Sequence, residues 1–314
     1  MPANVSYSIL LRKENAHDDP IYCCDWVKSS TAGDSAIASK DLIVTGGLDS
    51  LVKLWVCQNN RLQLQYALEG HTMGVVSVAI SPCASTIVSA SLDSNLILWN
   101  TSSGKQITEL PIGESDVWKV VFSPDGKQMA TGGHTGKIFI YGVNDGAINR
   151  VLDTRGKFIL SVDWSPDGKY IAAGLEDGIL CILDVQQGKV LHTIEAHSLP
   201  VRGVAFSPCS TRVATASNDG LASIYGVVTA KHQCKLEHKS WAVCVCFSAD
   251  GTQLATGAAD GRVRVAARDF RLLNTFEEHT DTVWGVHFDS SNKKLISVSK
   301  DGCINLYDCP PIKI

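Results

Sequence analysis

The chain has 314 residues, 45% hydrophobic and 19% charged, with a formal net charge of −4. That apolar share excludes a disordered chain, which combines low hydrophobicity with high net charge, and the acidic balance opposes a surface that tracks nucleic-acid phosphates. No apolar run reaches the roughly 18 residues of a membrane span, and Met1–Lys13, with Arg12 and Lys13 behind a short apolar stretch and no clear cleavage site, does not read as a secretory signal. The 11 cysteines include no Cys-x-x-Cys pair; the closest sets are Cys23–Cys24 and Cys244–Cys246. Such spacing does not chelate zinc, and an odd total speaks against secreted disulfides. The expectation is reduced, mostly buried thiols in an intracellular protein, with no metal and no cofactor.

In chain order, the first predicted strand is Tyr7–Arg12, which stands ahead of His17 as Val190–Ile194 stands ahead of His197. The Ser/Ala-rich stretch Lys28–Lys40 then reads as a solvated loop insert. From there the chain repeats, and the repeat decides the architecture. Asp49, Asp93, Thr135, Asp177, Asp219, Asp260 and Asp301 form a column with spacings of 44, 42, 42, 42, 41 and 41 residues. Six residues after each stand Trp55, Trp99, Tyr141, Leu183, Tyr225, Ala266 and Tyr307; four residues before stand Thr45, Ser89, Thr131, Ala173, Thr215, Thr256 and Ser297. Twenty-two residues before the column stand His71, Gly113, Arg155, His197, His238 and His279, whereas His17 lies 32 residues before Asp49, which accounts for the insert.

Asp-Gly occurs eight times, and Ser-Pro-Asp-Gly-Lys twice, at Ser123–Lys127 and Ser165–Lys169. Asp-Gly between apolar alternations predicts type I′ hairpin turns, in which both central residues have φ > 0. Ser81-Pro82-Cys83 and Ser207-Pro208-Cys209 are variants of the same turn. In the third repeat the pattern predicts strands at Val117–Phe122, Lys127–Thr131, Lys137–Tyr141 and Ile148–Leu152, and the other repeats follow it. No helical period persists over 11 residues. Four short strands every 42 residues predict an all-β, seven-bladed propeller, one domain over residues 1–314. The last repeat stops after its third strand, at Asp308, so Tyr7–Arg12 is predicted to complete the last blade and close the ring.

His, Ser/Thr and Asp together suggest a nucleophilic triad. Here the set recurs, in full or nearly so, as His17/Thr45/Asp49/Trp55, His71/Ser89/Asp93/Trp99, His197/Thr215/Asp219/Tyr225 and His279/Ser297/Asp301/Tyr307. A catalytic site is one special constellation, so recurrence favours a structural network and a chain that is not an enzyme. The sixth repeat keeps His238, Thr256 and Asp260 but has Ala266 in the Trp column, which predicts the loosest full blade. In the first-strand column Cys24 replaces Val, which predicts a core position. Residues leading into the first strands are expected around the central opening: Tyr22, Val76, Trp118, Leu160, Arg202, Val243 and Trp284, with Asp116, Phe158, Pro200 and Trp241 just before them. Aromatics and Arg are the types enriched at protein-interface hot spots. Tyr22, Trp118, Phe158, Arg202, Trp241 and Trp284 are therefore the candidate protein-binding residues. The alternative reading wedges these rings between neighbouring blades.

Spacing and the His, Ser/Thr, Asp and Trp/Tyr columns together resemble the WD-repeat β-propellers over essentially the whole chain, although the Trp-Asp pair itself is degraded (Trp55-Val56, Trp99-Asn100, Tyr307-Asp308). That resemblance implies a buried chain of hydrogen bonds from indole to hydroxyl to imidazole to Asp. Leu152–Ser161 with Val162–Tyr170, Ala16–Asp19, Leu68–His71 with Gly74–Val78, Val283–Val286 and Tyr307–Pro310 are similar to the WD-repeat subunits of the superkiller (SKI) complex. In that family the fourth repeat also lacks the His set, as Arg155 does here. This closer resemblance implies a non-catalytic scaffold in cytoplasm and nucleus. Its implied partners are a tetratricopeptide-repeat scaffold and an RNA helicase in mRNA decay with the exosome, and the polymerase-associated factor (Paf) complex in transcription elongation. It implies no direct nucleic-acid contact and no membrane.

Overall fold

The computed structural model describes residues 6–29, 40–112 and 117–312. These residues form seven four-stranded antiparallel sheets arranged as blades around a central channel. Blade one runs from Ile21–Ser29 through Lys40–Gly47 and Val52–Gln58 to Arg61–Leu68. Blade three runs through Val117–Phe122, Gln128–Gly133, Lys137–Gly142 and Ile148–Asp153, close to the strands its alternation predicts. The first strand of every blade lines the channel, and the fourth lies at the rim of the ring.

Blade seven takes three strands from Val283–Phe288, Lys294–Ser299 and Ile304–Asp308, and its fourth from the other end of the chain. Ser8–Lys13 pairs antiparallel with Ile304–Asp308, placing Ser8 opposite Asp308 and Lys13 opposite Ile304. The predicted closure is thus present, shifted by one residue. Burial follows the same ring. Buried apolar side chains gather in seven clusters, each shared by two neighbouring blades. Val44 and Leu54 of blade one meet Ile87, Ile97 and Trp99 of blade two. At the closing junction Ile296 and Leu306 of blade seven meet Ile21 and Trp55 of blade one. Each fully buried Leu or Ile contributes about 1.5–3 kcal/mol, so hydrophobic burial between the sheets holds the ring together.

Three expectations change. The Asp-Gly turns are not type I′. In Ser123–Lys127 only Gly126 has positive φ, at 69°. Its N–H donates to the Ser123 carbonyl (2.9 Å). Asp125 Oδ1 accepts from Ser123 Oγ (2.6 Å) and from the Lys127 N–H (3.1 Å). The carboxylate acts as a local cap on a type I turn, and Gly alone takes the left-handed position. The two-residue loop with φ > 0 at both positions is Asn59–Asn60 (50° and 60°), between paired Gln58 and Arg61.

The insert is shorter than Lys28–Lys40. Lys28 pairs with Asp41 and Ser29 with Lys40, so the blade-one hairpin simply extends outward; 30–39 lie outside the described residues. Cys24 is only half-buried, against the cluster between blades seven and one, and faces the channel. Burial raises its thiol pKa well above the ordinary range, so it is unreactive as expected. Phe270, in a left-handed conformation (φ 63°), packs in the same cluster as Ala266, which is fully buried.

Candidate functional site: the channel mouth and its supporting loops

The repeated His sets build the loops of one face. In blade two, His71 Nδ1 lies 2.9 Å from Asp93 Oδ2 and His71 Nε2 lies 2.7 Å from Ser89 Oγ, while Trp99 Nε1–H donates to the same Oγ (2.9 Å). Blade one repeats this with His17, Asp49, Thr45 and Trp55. Burial keeps the His71 and His197 pKa values low despite their aspartates, so both rings are neutral. A neutral ring donates from Nδ1 to the carboxylate and accepts the hydroxyl proton at Nε2. These are the bonds of a hydrolase triad, but Thr45, Ser89, Thr215 and Ser297 are fully buried. No substrate reaches them.

The chain of bonds varies where the aromatic residue varies. Tyr225 Oη does not bond Thr215; it donates to the Ala196 carbonyl (2.9 Å). Tyr307 Oη lies 3.1 Å from Ser297 Oγ and accepts from Asn305 Nδ2 (3.1 Å). Burial opposes the charge of Asp301, yet the His279 bond and backbone N–H groups prevail and bring its carboxyl to about 2. In blade six the chain stops at the ring. His238 Nε2 meets Thr256 Oγ1 (2.9 Å), but His238 Nδ1 is buried without a hydrogen-bond partner, and Arg264 Nη2 holds Asp260 Oδ2 (2.8 Å). Burial first, and then the Arg264 charge, push His238 down to about 4.

These loops frame the mouth of a channel of about 500 Å³. All seven residues of the predicted column line it: Tyr22, Val76, Trp118, Leu160, Arg202, Val243 and Trp284. The rings come in two pairs, and both pairs bridge blades. Tyr22 of blade one lies 4.9 Å, centroid to centroid, from Trp284 of blade seven. Trp118 of blade three meets Phe158, just before blade four, edge to face at 5.8 Å. Each of these four rings is half-buried, so it both wedges blades and presents a face to solvent. Arg202 donates from Nε to Asn218 Oδ1 (3.3 Å) and has no carboxylate partner among the described residues. Phe158 stands behind Trp118 rather than on the channel wall. Trp241 stands apart, 52% exposed and outside the channel lining. Asp116 lies outside the described residues.

Deeper in the channel, Asp25 joins three blades. It accepts from the Ile80 N–H of blade two (2.8 Å) and lies 3.1 Å from His287 Nε2 of blade seven. Burial alone would raise Asp25 and lower His287; their mutual contact reverses both, so they form an ion pair. Asp163 takes the corresponding place between blades four and five, accepting from the Phe206 N–H (2.7 Å), and without such a cation burial holds its carboxyl up to about 6. Among the described residues, no three His, Cys, Asp or Glu side chains converge as a metal site.

Sequence reasoning missed an apolar patch on the same face. Leu48, Met73 and Leu92 are exposed around Gly74. A Cβ on Gly74 would lie 2.4 Å from Leu48 Cδ2, and the Leu92 N–H donates to the Gly74 carbonyl (3.0 Å). The only signal was Leu in two of seven positions preceding the Asp column, where a turn needs no apolar side chain.

Comparison with known proteins agrees with this architecture. The family model described as IFT122 first beta-propeller matches residues 38–308, and the WD domain, G-beta repeat model matches residues 9–56. The chain is similar to the WD repeat-containing protein SL1-17 of Schistosoma mansoni, 33% identical over 49% of this chain and 49% of that protein. It is also similar to the WD repeat-containing protein VIP3 of Arabidopsis thaliana, 33% identical over 38% of this chain and 35% of that one. These matches thus span half or less of the length of those curated relatives.

Proposed function

The chain belongs to the WD-repeat β-propellers, and from that premise we propose that it is a non-catalytic scaffold that binds partner proteins through the channel mouth. One observation carries the reading: three half-buried aromatic rings, Tyr22, Trp118 and Trp284, and Arg202, without a carboxylate partner among the described residues, line one opening on a rigid ring, with Phe158 packed edge to face behind Trp118. Tyr and Trp bury a large area with only two side-chain torsions to order, and Arg adds a planar fork of donors, which is why these residues are enriched at interface hot spots. The exposed Trp241 and the Leu48–Met73–Leu92 patch extend the same face.

Within that reading, the chain is a subunit of the SKI complex, working beside a tetratricopeptide-repeat scaffold and an RNA helicase to feed mRNA to the exosome, and of the Paf complex in transcription elongation. It would then act in cytoplasm and nucleus. The stretches Leu68–Val78, Leu152–Tyr170 and Val283–Val286 support this, because they fall in order along the chain and each contributes residues to the channel lining, Val76, Leu160 and Trp284 among them. The second reading is an adaptor of a different complex using the same face. Mass spectrometry of proteins that co-purify with the tagged chain separates the two. The tetratricopeptide-repeat scaffold and the helicase, recovered in stoichiometric amounts, support the first reading; a different stoichiometric set overturns it in favour of the second.

A further inference from the structure

In the blades that keep the His of the repeat, the loops that lead into the first strands are pinned in a common way, and blade six departs from it; blades three and four carry Gly113 and Arg155 in place of the His. In blades one, two, five and seven the Asp of the repeat takes two bonds from that loop. One comes from His Nδ1: to Asp49, Asp93, Asp219 and Asp301, each at 2.9 Å. The other comes from the next backbone N–H: Asp18, Thr72, Ser198 and Thr280 donate at 3.3, 2.9, 3.2 and 3.1 Å. In blade six both are missing. His238 Nδ1 is a buried orphan, and no described residue accepts the Lys239 N–H.

The cause is a side chain. Asp260 is occupied chiefly by Arg264, through Nη2 (2.8 Å) and Nη1 (3.5 Å), in a pair whose Arg side chain is only 8% exposed, while the more exposed Arg262 stays 3.8 Å from the same carboxylate. The equivalent residues elsewhere are Lys53, Ile97, Ser223 and Asn305, and none displaces the imidazole. Even Lys53, a cation, is diverted to the Ala16 carbonyl (2.8 Å) and stays 3.9 Å from Asp49. The planar fork of Arg reaches the carboxylate where the ammonium does not. What remains in blade six holds the base of the loop: His238 N–H to the Gly220 carbonyl (2.7 Å), the Ala259 N–H to the Trp241 carbonyl (2.9 Å), and the Asp260 N–H to Ser240 Oγ (3.0 Å). The missing ties fall at His238 and Lys239, immediately before Ser240 and Trp241, the most exposed aromatic of the face.

We propose that residues 238–241, ahead of the buried, paired Ala242, are an adjustable arm of the partner-binding face, released by the Arg264–Asp260 pair so that the Trp241 side chain swings onto a bound protein. The arm rests on the reading of this face as a docking surface, and it adds induced fit to an otherwise rigid ring. The four tied loops present preformed contacts; the loop of blade six adapts.

Amide exchange on the full chain tests the release without any partner. The Lys239 amide should exchange roughly tenfold faster than those of Thr72, Ser198 and Thr280, the factor that one ordinary hydrogen bond represents. Arg264→Ser, which installs the residue of blade five, should free Asp260 for His238, slow Lys239 to the rate of the other three, and raise the His238 titration midpoint. If Arg264→Ser fails to fold, Arg264→Gln keeps the volume and removes the charge for the same comparison. Equal exchange at all four amides in the wild type, or no change at Lys239 in the folded variant, overturns the release. The partner recovered by co-purification then tests the arm. Weaker binding by Trp241→Ala supports it, and unchanged binding by Trp241→Ala with weakened binding by Trp118→Ala overturns the arm while the docking face stands. Unchanged binding by both removes the docking reading itself.

Discussion

Ser89 shows how much one buried atom carries. Its Oγ accepts from Trp99 and bonds His71, with all three side chains out of solvent. Ser89→Ala leaves an indole N–H and an imidazole nitrogen without partners, and orphaned buried groups cost about 1–3 kcal/mol each. The expected loss of unfolding free energy is about 3 kcal/mol, read by urea titration. Thr256→Val in blade six, which removes the hydroxyl and keeps the buried methyl volume, orphans only His238 Nε2, because Ala266 donates nothing, so its loss should be smaller by about 1 kcal/mol or more. Equal losses would show that the indole bond contributes nothing and that the chain of bonds is incidental. The residue columns announced these sets, since His, hydroxyl and Asp recur at fixed spacing. They could not announce that Arg264 takes Asp260 from His238, because whether a cation at that position reaches the carboxylate depends on fork geometry, as Lys53 shows.

At the scale of elements, the fold was legible because each blade is written locally. Strand alternation and turn residues fix four strands per repeat, and neighbouring repeats share their cores. What the pattern misread was turn type and loop length. Asp-Gly has two solutions, and the Asp125 side chain selects the one in which it caps the turn. Lys28, Ser29 and Lys40 look like loop residues but extend a ladder already begun by Trp26 and Ile43. The strand of greatest consequence is Ser8–Lys13, where Leu10 and Leu11 pack at the junction of blades seven and one. Deleting residues 1–13 should expose the edge of Ile304–Asp308 and uncover that cluster, lowering the melting midpoint by several degrees with a broader transition. An unchanged melting curve would show that the strand is an ornament rather than the closure.

At the scale of the molecule, seven equivalent junctions give a rigid ring, and rigidity explains how distant chain segments make one surface. Tyr22 and Trp284 come from opposite ends of the sequence and stand 4.9 Å apart. The alignment of columns foretold that circle of residues. It did not foretell the pairing of rings across blades or the patch at Leu48, Met73 and Leu92, because both depend on which loops neighbour each other after closure. The central claim is that the channel mouth binds protein while the core beneath it carries stability. The most direct measurement is calorimetric binding of purified wild-type, Trp118→Ala and Trp284→Ala chains to the partner recovered with the wild type, alongside thermal melting of each. The account predicts folded variants whose binding is weaker by about 2 kcal/mol or more, roughly thirtyfold in Kd. Folded variants that bind as tightly as the wild type would contradict it, as would loss of folding in both, which would return these rings to the core.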